Sequence, residues 1–177
     1  MAKFVPLRSL WTMACLAWAG LAAPGLAAEL PEYQVKAAFL YNFALFTEWP
    51  AHSGNTITLC VVEGSALQTE LEEFEGQSVG NRQFAVRRVT DAEATQGCQL
   101  LFLPRATAGS MGRTKRMLAP RDHLLVVGDS PEAAQAGAGI NMSINDARVI
   151  FDVNLQRVQD AKLTLSSKLL RLARHAR

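Results

Sequence analysis

Histidine and cysteine are scarce in this chain, with three of each in 177 residues. His52, His123 and His175 are scattered and share no metal-ligand spacing, and there is no Cys-x-x-Cys. No glycine-rich phosphate loop follows a predicted strand. No repeat recurs at a fixed period, and no low-complexity run appears beyond an Ala-rich beginning. The sequence therefore offers no metal site, no cofactor site and no nucleophile–base–orienter set. These absences move weight from an enzyme toward a binding or regulatory module.

One short block imitates catalytic chemistry. "VVGDS" (Val126–Ser130) follows a predicted strand and precedes a predicted helix, as the nucleophile block of GDS-type esterases does. Such an enzyme also needs a late Asp-x-x-His, and His175 in "RLARHAR" has no Asp three residues before it. Strand-turn-helix capping accounts for Gly128, Asp129 and Ser130 without catalysis.

What is present begins with a leader. Met1 to Ala28 holds Lys3 and Arg8, an apolar run from Leu10 to Ala23, and then Pro24-Gly-Leu-Ala-Ala28. This is the three-part layout of a secretory signal peptide, with cleavage after Ala27 or Ala28. The rival reading is an uncleaved membrane anchor, for which the run is short. Removing the leader takes Lys3 and Arg8 and no acid. The 18 Lys and Arg of the chain then fall to 16, matching its 16 Asp and Glu. A neutral exported chain has lost the compositional argument for nucleic-acid binding. Its charge is uneven. Glu63, Glu70, Glu72, Glu73 and Glu75 crowd one segment, while Lys168, Arg171, Arg174 and Arg177 crowd the C-terminus. Each cluster reads first as a solvated face or tail.

"YQVKAAFLYNFALFTEWP" (Tyr33–Pro50) reads as a helix with almost no polar face. Val35, Ala38, Phe39, Phe43 and Phe46 make one stripe, and Ala37, Leu40, Tyr41, Ala44 and Leu45 cover most of the rest. Lys36, Asn42 and Glu48 make it a poor membrane span, so it is expected to be buried in protein. Phe39, Phe43 and Phe46 are expected to face the core. Tyr41 and Leu45 lie on a side left for a second protein surface. Trp49, before Pro50, is either a plug at the helix end or an exposed anchor. Asn42 needs hydrogen-bond partners if it is buried.

Further along, strands are predicted at Thr56–Val62, Phe84–Val89, Gln99–Pro104 and His123–Val127. Helices are predicted at Ser65–Phe74 and Ser110–Leu118, with a helical turn over Asp91–Gln96. Ser130 is a natural N-cap and Pro131 a natural first helical residue. "INMSI" and "RVIFDVN" flank Asn145-Asp146 as a hairpin. Asn154 can cap a short helix to Gln159. "LSSKLLRLAR" closes the chain as a helix capped by Ser166, packing through Leu169, Leu170 and Leu172 near the first helix. Strands alternating with helices, followed by a hairpin, predict a three-layer α/β single domain over residues 29–177. Its sheet should be mixed and mostly parallel, with helices on both faces.

Beyond the leader two cysteines remain, Cys60 and Cys98. In an oxidising compartment the pair reads as a disulfide closing a loop of about 39 residues, worth roughly 3–4 kcal/mol. Two buried free thiols are the alternative. Cys60 lies late in its predicted strand and Cys98 just before its own, a placement that would separate them in parallel neighbours.

"VKAAFLYNFALFTEWP" (Val35–Pro50) resembles the opening of the YfiR family of periplasmic proteins. The resemblance continues in "TLCVV", in "GAGINMSINDARVIFDVNL" (Gly137–Leu155) and in "LSSKLLRLAR" (Leu165–Arg174), in family order. It implies a non-enzymatic periplasmic repressor that binds the sensor domain of a membrane diguanylate cyclase and keeps cyclic di-GMP and biofilm output low. An OmpA-like outer-membrane lipoprotein would sequester it, and it would form a homodimer. Cys60 and Cys98 match one family disulfide, while a second, later pair has no counterpart here. Lys36 and Lys168 lie in the matching first and last segments and join Tyr41, Leu45 and Trp49 as candidate interface residues, with Asn42 structural. The runner-up function is a periplasmic sensor or ligand-binding accessory of another envelope receptor, such as a histidine kinase.

Overall fold

In the computed structural model, residues 32–51, 54–90, 93–105, 111–117, 119 and 121–177 are described. The segment read as a signal peptide, His52 and the ends of the 110–118 helix lie outside them. The chain opens on helix α1 (Glu32–Leu45) and a two-residue strand β1 (Thr47–Glu48). Then come β2 (Thr56–Val62), α2 (Gln68–Glu72), β3 (Ser78–Val79), β4 (Arg82–Val89) and a turn of 3-10 helix at Glu93–Thr95. β5 (Leu100–Leu103), α3 (Met111–Met117), β6 (Leu125–Gly128) and α4 (Pro131–Gln135) follow. The hairpin is β7 (Ile140–Asn145) and β8 (Arg148–Val153), and the chain ends through α5 (Leu155–Asp160), β9 (Thr164–Leu165), α6 (Ser167–Leu170) and β10 (His175–Ala176).

Eight strands form one sheet in the order β10-β8-β7-β6-β5-β2-β4-β3. The five central strands, β7 to β4 in that order, are mutually parallel, β8 runs antiparallel to β7 and β3 to β4, and β10 is parallel to β8. Alternation along β2 splits the core. Ile57, Leu59 and Val61 face α1 and α2, while Cys60 and Val62 face α3 and α4. Helices on both faces of a mixed, mostly parallel sheet make the three-layer α/β fold that the sequence predicts.

α1 lies on its sheet face and is walled on both flanks. Lys36, Ala37, Leu40, Phe43 and Ala44 are buried beneath it. On one side Tyr41 stacks on Phe74 and meets Phe84 edge-on. On the other, Phe39 and Phe43 pack edge-on against Phe151 of β8. Phe43 is fully buried, whereas Phe39 and Phe46 are half-buried against the same core. The deepest stripe is therefore rotated from the Phe39–Phe43–Phe46 stripe expected.

The helix stops at Leu45, short of Pro50, because its end is claimed by other partners. Thr47 Oγ1 donates to the Phe43 carbonyl at 2.6 Å and Trp49 Nε1 to that of Ala44 at 2.8 Å. Both satisfy carbonyls that the helix end leaves open. Thr47 and Glu48 then pair antiparallel with Leu165 and Thr164, and Ser166 N donates to Phe46 O at 2.8 Å. This small ladder holds the end of α1 beside the start of α6.

Three local expectations shift. The hairpin turn is Asp146–Ala147, both at positive φ, not Asn145–Asp146. Either register sets apolar residues opposite one another, so alternation does not distinguish them. The observed one brings Val153 opposite Ile140. β6 starts at Leu125 because His123 has a φ of 63° and donates its N–H to Ala161 O. The closing helix is one turn. Leu169 is buried but Leu172 is 69 % exposed, and the last residues form β10, parallel to β8. Arg174 N–H donates to Phe151 O and Arg177 N–H to Val153 O, and these long-range bonds win over further helix.

Cys60 and Cys98 form a disulfide with Cα atoms 5.8 Å apart. The strand register alone would separate them, since Cys60 lies opposite Leu101. Gly97, at a φ of 79°, turns the chain before β5, so Cys98 approaches from outside the ladder and over the face that carries Cys60.

Two measurements check this packing. Phe43→Ala should lower folding stability by about 3–5 kcal/mol, as deletion of a buried aromatic does, readable by denaturant unfolding. Thiol titration under denaturing, non-reducing conditions should find neither Cys60 nor Cys98 free. Two reactive thiols would refute the bridge.

Candidate functional site

Beyond the C-terminal ends of β5 and β6 the β7–β8 hairpin continues with no strand on the β6 side, since β6 ends at Gly128 opposite Asn141. The overhang and the first turn of α1 enclose a cleft of about 710 Å³. Tyr33, Lys36, Arg105, Asp129, Asn141 and Arg174 contribute to its walls. Ligands of open α/β sheets commonly bind outside the carboxyl ends of strands. Gly128 makes the local packing fit. A Cβ there would come within 2.3 Å of the Ala133 Cβ and 2.9 Å of Asn141 Oδ1.

The cleft is built on a buried ion pair. Lys36, only 4 % exposed, donates to Asp129 Oδ2 at 2.8 Å and pairs with Glu32 one helical turn earlier. Burial works to lower the ammonium pKa, but the hydrogen bonds and charges of Asp129 and Glu32 outweigh it and the net shift is upward. The raised pKa keeps this contribution complete below the ordinary lysine range, and it fades only above it. Asp129 is 8 % exposed, and among the described residues its Oδ1 has no partner, nor do buried Asn141 Oδ1 and Ser143 Oγ. Ser130 Oγ accepts from Ala133 N–H at 3.1 Å as the cap of α4. The block that imitates an esterase is thus a helix cap beside a lysine counter-ion.

Asp152 forms a second cluster. It pairs with Arg174 and, at 3.0 Å, with His175 Nδ1. The Arg174 hydrogen bond, aided by His175, holds the Asp152 carboxyl below its usual range. At the disulfide, Arg87 donates to Cys98 Sγ at 3.1 Å, to Cys60 Sγ at 3.4 Å and to Gln96 O.

The candidate interface residues separate. Tyr41 O–H donates to Ser78 O at 2.7 Å and its ring is stacked, so it serves the fold. Lys36 is committed to its carboxylates, Trp49 is a half-buried plug, and Asn42 is half-buried on α1. Leu45, 38 % exposed, and Lys168, exposed on α6, remain at the surface, near the ends joined by the β1–β9 ladder. Sequence reasoning missed Asp129 as the partner of Lys36, and Asp152 as the clamp on Arg174. The only signal for Asp129 was an acid just past a buried strand. Among the described residues no three His, Cys, Asp or Glu side chains gather as a metal site.

A family model described as YfiR/HmsC-like matches residues 33–174. No curated protein matches the chain. Among solved structures it is similar to a conserved domain protein from Vibrio cholerae O1 biovar El Tor, at 11% identity and a TM-score of 0.49. It is also similar to the ABC domain in complex with L-Trp from Streptococcus pneumonia, at 10% identity and a TM-score of 0.48. Those matches cover 84% and 82% of this chain but only 61% and 60% of the two solved chains.

Lys36→Met should strand a buried carboxylate and cost about 3–5 kcal/mol. Adding Asp129→Leu should recover most of the loss. If the single variant melts like the parent protein, the pair is not the anchor of α1 described above.

Proposed function

The chain belongs to the YfiR/HmsC-like family, and from that premise we propose that it is a periplasmic repressor of a membrane diguanylate cyclase. It would bind the cyclase's periplasmic domain and keep cyclic di-GMP and biofilm output low. The observation that carries this reading is the family match across residues 33–174, nearly all of the chain beyond the leader. The Cys60–Cys98 disulfide suits an oxidising compartment. Among the described residues no helix is long and apolar enough to cross a membrane.

For the docking surface we assign the end of α1 and the start of α6, with exposed Leu45 as the apolar contact, half-buried Trp49 beyond the helix end and exposed Lys168 on α6 as the charged group. Tyr41 and Lys36 are assigned to holding α1 in place. An OmpA-like outer-membrane lipoprotein or a second copy of the chain would compete for the same surface, and competition of this kind would relieve repression. The second reading, a ligand-binding accessory of another envelope receptor, draws on the 710 Å³ cleft beside Lys36.

Deleting the gene should raise cyclic di-GMP and surface attachment. Restoring it with Leu45→Glu should leave the melting temperature nearly unchanged and fail to lower either, because a charge desolvated at an interface is costly. Unchanged cyclic di-GMP in the deletion strain would sink the cyclase assignment. Full complementation by Leu45→Glu would move the surface elsewhere.

A further inference from the structure

No Asp or Glu occurs after Asp160, while Lys162, Lys168, Arg171, Arg174 and Arg177 all do. Lys162 is paired with Asp122 and Arg174 with Asp152. Lys168, Arg171 and Arg177 are exposed and form no ion pair among the described residues. Between them stands Leu172, 69 % exposed and the most exposed of the large apolar side chains described. These residues follow α6 to β10, the outermost strand on one side of the sheet.

The acids lie toward the other edge. Glu63, Glu70, Glu72, Glu73 and Glu75 fall in the connection from β2 to β3, around α2, and β4 and β3 end the sheet on that side. Among these five only Glu72 has a cation within ion-pair distance in the described residues, Arg88 at 3.7 Å. β4 itself carries Arg82, Arg87 and Arg88, so this side holds five acids and three bases, whereas residues 140–177 hold three aspartates and seven Lys or Arg. The net charge is thus biased to opposite signs at the two edges of the sheet.

We propose that the α6–β10 edge docks on an anionic phospholipid surface, with Leu172 entering the headgroup layer and the glutamate edge turned away. Charge complementarity selects this partner, and the exposed leucine among the cations supports it. A lipid surface accepts cations at its phosphates and an apolar side chain just below them. Each Lys or Arg near such a surface contributes about a fivefold gain in partitioning. Three free cations and one leucine give a weak, salt-sensitive attachment that leaves the protein mobile along the membrane. The inference rests on the proposed function only in placing the chain in the periplasm. It does not need the cyclase.

The test is sedimentation of protein purified from the soluble envelope fraction with phosphatidylcholine vesicles, with and without phosphatidylglycerol. Binding should require phosphatidylglycerol and disappear in about 1 M salt, where screening reaches only about 3 Å. Arg171→Glu combined with Arg177→Glu should reduce binding at least tenfold while the protein melts as before. Leu172→Ser should weaken binding a few-fold and leave the salt dependence intact. Equal binding to both vesicle types, or none to either, overturns the proposal. Retention on immobilised polyglutamate without vesicle binding also overturns it, in favour of an acidic protein partner. Vesicle binding in a protein whose deletion leaves cyclic di-GMP unchanged would support this inference while the cyclase reading fails.

Discussion

The fold is organised around a helix with almost no side to give to water. α1 must be covered beneath and on both flanks, and the rest of the chain supplies that cover. The sheet takes Leu40 and Phe43, each worth about 1.5–3 kcal/mol of burial, while Phe74 and Phe84 close one flank and Phe151 the other. The one charged group in the deep stripe, Lys36, is tolerable only because Asp129 and Glu32 stand beside it. Breaking such a pair costs more than the pair itself contributes. The Lys36 interaction therefore fixes where α1 begins on the sheet more than it adds to stability.

Because α1 is so fully claimed, little of it is left to meet another protein. Its exposed residues are Glu32, Tyr33 and Gln34 at the start and Leu45 at the end. Glu32 and Tyr33 border the cleft past β6, and Leu45 lies by the β1–β9 ladder. Ligand binding and partner binding, if both occur in one molecule, would act on opposite ends of the same rigid rod. A shift of α1 along its axis would be felt at both.

Local chemistry made much of this legible in the sequence. β2 runs over the predicted Thr56–Val62, because an alternating apolar run is bounded by turn residues. Ser130, Asn154 and Ser166 cap their helices as expected, since a cap depends on its own hydroxyl or amide and an N–H three residues on. Features set by distant partners were not legible. Leu169, Leu170 and Leu172 have helical spacing, yet the helix ends at Leu170, and bonds from Arg174 and Arg177 to β8 draw the following residues into β10. Tyr41 looked free for a partner because nothing near it in sequence announces Phe74 or Ser78. Lys36 and Asp129 are 93 residues apart, and no periodicity links them.

The β1–β9 ladder has a consequence for the order of assembly. Thr47 pairs with Leu165, so the end of the first helix is secured by a stretch made long after it. Contacts of such long sequence separation form late, after the loop entropy between them has been overcome. During synthesis α1 emerges early and waits, apolar on nearly every side, for its clasp. A chain in that condition is exposed to aggregation and to holding chaperones until β9 arrives. The same ladder that locks the finished protein thus keeps the nascent one from closing early.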